Sequence, residues 1–325
     1  MVNVFIDTDM GWDDWCAITL LAQSKSINII GVSVNGVGEA NLSYAVQNAL
    51  DLLSLNGINN LVVGCGAGSP VSYSNVFPAE FRHTMNQMMN YELPKVARTS
   101  NNVAPANVVL NQALLAQPDL TLLAIGGFTN LYNYLADNDV NGLVPKKVVT
   151  MAGAIEVAGN INSFFPAAYP NNNTAEWNVF IDPLAASKVL DYYQQNKLEI
   201  ELSPLDASYH VKLTTEVVEQ IVNAEVKTPV NQFIGYVLNT RFQQAKKEGY
   251  AEYFYDPLAA ACVIDPDLAT YSFGDFSVCT ELDEEQSQLG KLSFSQNTKS
   301  TARYANNISS PNAFYSLFTE SILSS

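Results

Sequence analysis

Val2-Asn3-Val4-Phe5-Ile6-Asp7-Thr8-Asp9-Met10-Gly11-Trp12-Asp13-Asp14 opens the chain and changes character twice within thirteen residues. Val2 to Ile6 is a short run of β-branched and aromatic side chains, which predicts a buried strand. Asp7 to Gly11 breaks that run. Residues 13–23 (DDWCAITLLAQ) then carry apolar side chains at helical spacing. Further apolar runs at 27–34, 61–63, 120–125, 147–151 and 198–202 predict more strands, with helices at 41–54, 104–116, 129–136 and 183–194. Strands alternating with helices give βαβ units. The expected fold is α/β: an open, Rossmann-like, mainly parallel sheet flanked by helices, one large domain over residues 1–325.

Ligands of such sheets bind beyond the carboxyl ends of the strands. Three segments converge there: the acidic turn after the first strand, Asn35 to Glu39 after the second, and Gly126-Gly127 after the strand at 120–125. The acidic turn holds Asp7, Asp9, Asp13 and Asp14, with no lysine or arginine among them. Four anions at the end of a buried strand need compensation, which a multivalent cation supplies. Oxygen-only ligands select a hard ion, calcium or magnesium. Helix capping is the plainer reading of Asp13 and Asp14, but it leaves Asp7 and Asp9 unexplained.

Composition sets the outer limits. With 325 residues, 48% of them hydrophobic, the chain can bury a large core. Thirty-two acidic against 16 basic residues give a net charge of -16, which argues against a nucleic-acid backbone as partner. Cys16, Cys65, Cys262 and Cys279 match no metal-ligand spacing, so free thiols and a reducing, cytoplasmic setting are expected. No signal peptide and no apolar run of membrane-spanning length is visible. Residues 156–177 read as a long loop suited to a lid. Residues 210–250 read as largely helical, and 281–300 as polar with a hairpin near Gly290.

The run Asp7, Asp9, Gly11, Asp13, Asp14 resembles the DxDxGxDD signature of the nucleoside hydrolase family, with Met10 where that family usually has proline. The resemblance continues through Val63-Gly64-Cys65-Gly66-Ala67-Gly68-Ser69-Pro70, Gly126-Gly127-Phe128-Thr129-Asn130, Met151-Ala152-Gly153 with Gly159-Asn160, Glu176-Trp177-Asn178 to Asp182-Pro183, Pro204-Leu205-Asp206 and Asp256-Pro257. Each motif is weak alone; their order along nearly the whole chain is not.

The resemblance implies hydrolysis of the base–ribose bond of ribonucleosides by a calcium-bound water. It implies Asp9, Asp14, Asp256 and the main-chain carbonyl of Ile125 as ligands, with Asp9 also the general base. Helix capping is the alternative for Asp256. Asp13, Met151, Asn160, Glu176 and Asn178 would hold the ribose, and Asp7 would orient the ligands from behind. The two histidines, His83 and His210, match no motif. Tyr255 stands where many pyrimidine-accepting members carry histidine, and would instead stack on the base, with Trp12, Phe164, Phe165 or Tyr169. Glu39 falls where asparagine is common and would meet the base or the ribose; Asn41 is the alternative alignment. A homodimer or homotetramer is implied by the same resemblance. A haloacid-dehalogenase-type phosphatase also begins with DxD, but it wants threonine or valine soon after, not Gly-x-Asp-Asp. A ribose- or nucleoside-binding protein without turnover is the non-enzymatic alternative.

Overall fold

The computed structural model describes residues 1–137, 142–283 and 285–324. Ten strands form one sheet: β1 (Val2–Thr8), β2 (Ile27–Val34), β3 (Val63–Cys65), β4 (Val103–Pro105), β5 (Thr121–Ala124), β6 (Lys147–Met151), β7 (Glu199–Ser203), β8 (Ala269–Val278), β9 (Leu292–Gln296) and β10 (Ala302–Ile308). Their spatial order is β4-β3-β2-β1-β5-β6-β7-β10-β8-β9. Every pairing from β4 across to β10 is parallel; β8 and β9 extend that edge antiparallel. The α/β architecture with a mainly parallel sheet is thus observed.

The order reverses at β1. The chain steps from β1 through β2 and β3 to β4 on one side, then returns to β5 on the other. A crevice at such a reversal is where open α/β sheets bind ligands. Register aligns the strand ends: Asp7 lies beside Ser33 of β2 and Ala124 of β5, and Ala124 beside Thr150 of β6. Residues just past those positions share one rim.

Side chains alternate across a strand. Val4 and Ile6 enter one core layer with the helices Trp12–Gln23, Asp256–Ile264 and Pro311–Leu323; Phe5 enters the other with the helices Ala106–Ala116 and Pro183–Gln195. That alternation decides which face each acidic residue after Ile6 meets. All four cysteines are free. No helix of the described residues is long and apolar enough to cross a membrane.

Several boundaries differ from expectation. The strand expected at 61–63 runs Val63–Cys65, and the helix expected from 104 starts at Ala106, because Val103–Pro105 pairs with β3. The segment 156–177 is not all loop: Ile161–Phe164 is a helical turn. Within 210–250 two helices form, Thr215–Val222 and Pro229–Glu248. Gly290 does lie between two antiparallel strands, β8 and β9, with φ +80.

Candidate active site

Past β1 the backbone turns through Met10, at φ 62, and Gly11 caps the helix Trp12–Gln23. The Gly11 N–H donates to Asp14 Oδ2 at 2.8 Å, and Thr8 Oγ1 donates to Asp14 Oδ1. Asp14 therefore does cap its helix, as the plainer reading held, yet it also faces other carboxylates. Asp13, Asp14 and Asp256 are buried, and one carboxylate oxygen from each lies within 4.8 Å of the others. Asp256 is the first residue of its helix, with Tyr255 at the cap position and no side-chain cap bond, so capping does not explain it. Asp9 joins through a side-chain hydrogen bond with Asp14 and accepts the Glu39 N–H at 3.2 Å.

Burial and mutual repulsion dominate the electrostatics. Burial pushes Asp9 up to about 6 and Asp13 up to about 7, the latter also repelled by Asp9. Asp14 and Asp256 are held well above the usual carboxylate range, by burial first and then by their anionic neighbours. The donor set is all carboxylate, buried and crowded, which fits a hard divalent cation. Two glycines make the crowding possible. A Cβ on Gly38 would lie 1.7 Å from Asp9 Oδ2, and one on Gly11 would lie 2.0 Å from Glu39 Oε2. Gly38 carries no signal in the sequence beyond its place after β2.

The cluster lines an open cavity of about 880 Å³. Asp9, Asp13, Asp14, Glu39, Ile125 and Met151 line it, as do Asn160, Glu176, Asn178, Tyr255 and Asp256. These are all the expected site residues except Asp7. Of the aromatic candidates, Trp12, Phe164 and Phe165 line the wall and Tyr169 does not; it packs edge-on against Trp177 at 5.7 Å between centroids. Neither His83 nor His210 reaches the cavity, and Asn41 does not line it either.

The polar wall is locked by main chain. Glu176 accepts N–H groups from Asn178 at 2.7 Å, Gly153 at 2.9 Å and Val179 at 3.3 Å. Burial, outweighing those bonds, pushes Glu176 up to about 7. Asn178 Nδ2 donates to the Met151 carbonyl at 2.9 Å, and Asn160 Oδ1 accepts from Trp177 N at 3.1 Å. The segment 159–175 that frames this wall is fastened: Asn172 Nδ2 donates to the carbonyls of Gln286 and Leu289, both at 2.8 Å.

Asp7 points to the other face of the sheet, as the alternation along β1 requires. It accepts from Ser33 Oγ at 2.5 Å and Asn130 Nδ2 at 2.7 Å, and Asn130 Oδ1 in turn accepts the Ala67 N–H at 2.8 Å. It thus ties β1 to β2 and to the helix Thr129–Ala136, whose Asn130 reaches the loop at Ala67, and it bonds to none of the cavity carboxylates. Asp182 performs a similar task, accepting from Val71 N at 2.9 Å and Thr129 Oγ1 at 2.7 Å.

Several lining residues escape sequence reasoning: Phe77, Phe81, Arg241, Gln244 and Glu252. Phe77 stacks on Trp177 at 4.0 Å. Arg241 pairs with Glu252 and lies 5.3 Å from the Trp12 ring centroid. On the sequence they look like ordinary residues of an amphipathic helix and a polar loop.

A family model described as inosine-uridine preferring nucleoside hydrolase matches residues 4–314. Uridine nucleosidase 1 of Arabidopsis thaliana is 28% identical over 281 residues, covering 86% of this chain and 79% of the relative. The inosine-uridine preferring nucleoside hydrolase of Crithidia fasciculata is 25% identical over 274 residues, 82% and 80% of the two chains. A plant nucleoside hydrolase structure is similar in fold with TM-score 0.82 at 21% identity, covering 100% of this chain and 99% of that one. The structure of the Bacillus anthracis inosine-uridine preferring nucleoside hydrolase gives TM-score 0.78 at 24% identity over the full length of both. With the family's sequence pattern matched across nearly its whole length, the chain belongs to the inosine-uridine preferring nucleoside hydrolases, hydrolases that act on nucleosides.

Proposed function

We propose that residues 1–325 act as one unit that hydrolyses the N-glycosidic bond of ribonucleosides to free base and ribose, with calcium as the required ion. The observation that carries this reading is the meeting of Asp13, Asp14 and Asp256 in a cavity whose adjoining wall is Glu176, Asn178 and Asn160. Asp9, Asp14, Asp256 and the main-chain carbonyl of Ile125 would hold the ion. When bound, it neutralises the buried carboxylates and lowers the pKa of the attacking water.

The chain's own residues do the rest. Asp9 accepts the proton of the water that attacks C1′ of the sugar. Asp13 and Glu176 accept hydrogen bonds from ribose hydroxyls, while the amides of Asn160 and Asn178 complete the grip. Met151 lies against the sugar. Cleavage runs through an oxocarbenium-like transition state with positive charge on the ring. Carboxylates fixed by backbone N–H groups present negative potential where that charge grows. Glu39 and Tyr255 stand ready to meet the base. Asp7 acts at one remove, holding the rim loops in register.

The test measures free ribose and free base from inosine, adenosine, guanosine, uridine and cytidine, with calcium and after EDTA. Base release that needs calcium supports the reading. Calcium-dependent binding of ribose with no release from any of the five would make the chain a binding protein and overturn it.

A further inference from the structure

Beyond the ribose and ion assignments, the cavity wall has an aromatic side at Phe77, Phe81, Phe164 and Phe165 and a polar side at Trp12, Arg241, Gln244, Tyr250, Glu252 and Tyr255. Of these, only the polar side can answer charge that develops on a base leaving the sugar. Arg241 is the cation there. It is 5% exposed, ion-paired to Glu252, hydrogen-bonded to Gln244 Oε1 at 3.1 Å, and lies 5.3 Å from the Trp12 ring centroid. Its Nε–H has no partner among the described residues. A buried guanidinium with a free donor is costly unless something else occupies that donor.

Arg241 also lines the cavity, where the reaction develops negative charge. When C1′–N breaks, the bonding electron pair goes to the base nitrogen and spreads over the ring nitrogens and exocyclic oxygens. No histidine lines the cavity to protonate the base. We propose that Arg241 is the leaving-group residue: its guanidinium donates hydrogen bonds to the departing base and stabilises the negative charge without giving up its own proton. Glu252 is a positioning residue that holds the guanidinium in place. Water's oxygen bonds to C1′, Asp9 takes the water's proton, and the base anion is protonated by solvent on release. The inference rests on the hydrolase reading above.

The test compares wild type, R241Q, R241K and the double variant R241Q/E252Q, all calcium-loaded, on inosine, uridine and p-nitrophenyl β-D-ribofuranoside. p-Nitrophenolate leaves without assistance. The double variant guards against misfolding, since it removes both buried charges instead of stranding Glu252. Losing Arg241 is expected to lower kcat on both nucleosides about 100-fold. The p-nitrophenyl riboside rate should stay within about threefold of wild type. R241K keeps charge without the fork and should fall between. Equal losses on all three substrates would reduce Arg241 to a structural role and overturn the proposal, as would undiminished nucleoside turnover. Either outcome beside a wild type that cleaves the nucleosides would sink this inference alone. One that cleaves nothing with calcium would sink the hydrolase reading and this with it.

Discussion

Asp14, in the first turn of the helix after β1, and Asp256, the first residue of the helix Asp256–Ile264, place carboxylate oxygens within 4.8 Å of each other in a buried site. Two anions so placed repel strongly in the absence of a cation. Asp256→Asn should therefore raise the thermal midpoint of the calcium-free protein, by relieving that repulsion. It should also weaken calcium binding at least about tenfold, since a charged ligand is lost. Calorimetric calcium titration and thermal unfolding in EDTA measure both. An Asp256→Asn protein that binds calcium like wild type would remove Asp256 from the ion's ligand set.

The pH dependence follows from the same burial. Asp9 is held up to about 6, and Asp13 and Glu176 up to about 7, against ordinary values of 3.8 for aspartate and 4.5 for glutamate. Between those limits the folded, calcium-free protein binds more protons than the unfolded chain, so its stability falls as pH rises from about 5 to about 7. Calcium needs the ionised carboxylates, so its affinity rises over the same window and binding releases protons. The gap between midpoints with calcium and with EDTA should widen with pH. A midpoint in EDTA that climbs through this range would contradict the assignment.

Met10 ties the acidic turn to a left-handed backbone, at φ 62. Its N–H donates to Thr8 Oγ1 at 3.0 Å, and its carbonyl accepts from Trp15 Nε1 at 3.0 Å. Proline fixes φ near -65 and has no N–H, so the proline common in the family does not fit this turn. Met10→Pro should cost about 3 kcal/mol or more and reduce the thermal shift produced by calcium. A variant with wild-type midpoint and calcium response would show that the turn adopts a different backbone.

Ribose selectivity should be strong. Glu176, Asn178 and Asn160 spend part of their bonding on main chain, and in the proposed function the rest holds the sugar. Removing one substrate hydroxyl leaves a buried group unpaired, which costs about 1–3 kcal/mol. The kcat/KM for 2′-deoxyinosine should fall roughly ten- to hundredfold below that for inosine. Equal values would remove these residues from the sugar subsite.

Legibility in the sequence followed local pattern. β1 and its acidic turn announce themselves because an apolar run ends abruptly in carboxylates, and the motifs at Glu176–Asn178 and Asp256 place the second wall. β4 escapes notice because it has three residues, and β8 and β10 because exposed and buried side chains interleave along an edge of mixed polarity. Arg241 and Glu252 escape because they act as a pair joined only by folding. The face reached by Asp7 needed the strand alternation at Val4, Phe5 and Ile6, which turns it to the face of the sheet opposite the carboxylate cluster.

A crystal grown with ample calcium tests the central claim most directly, through anomalous scattering at the end of β1. The account predicts one ion held by Asp14 and Asp256 together, with Asp9 and the Ile125 carbonyl beside it. A well-ordered cavity with no ion, and with Asp14 and Asp256 turned away from each other, would contradict it.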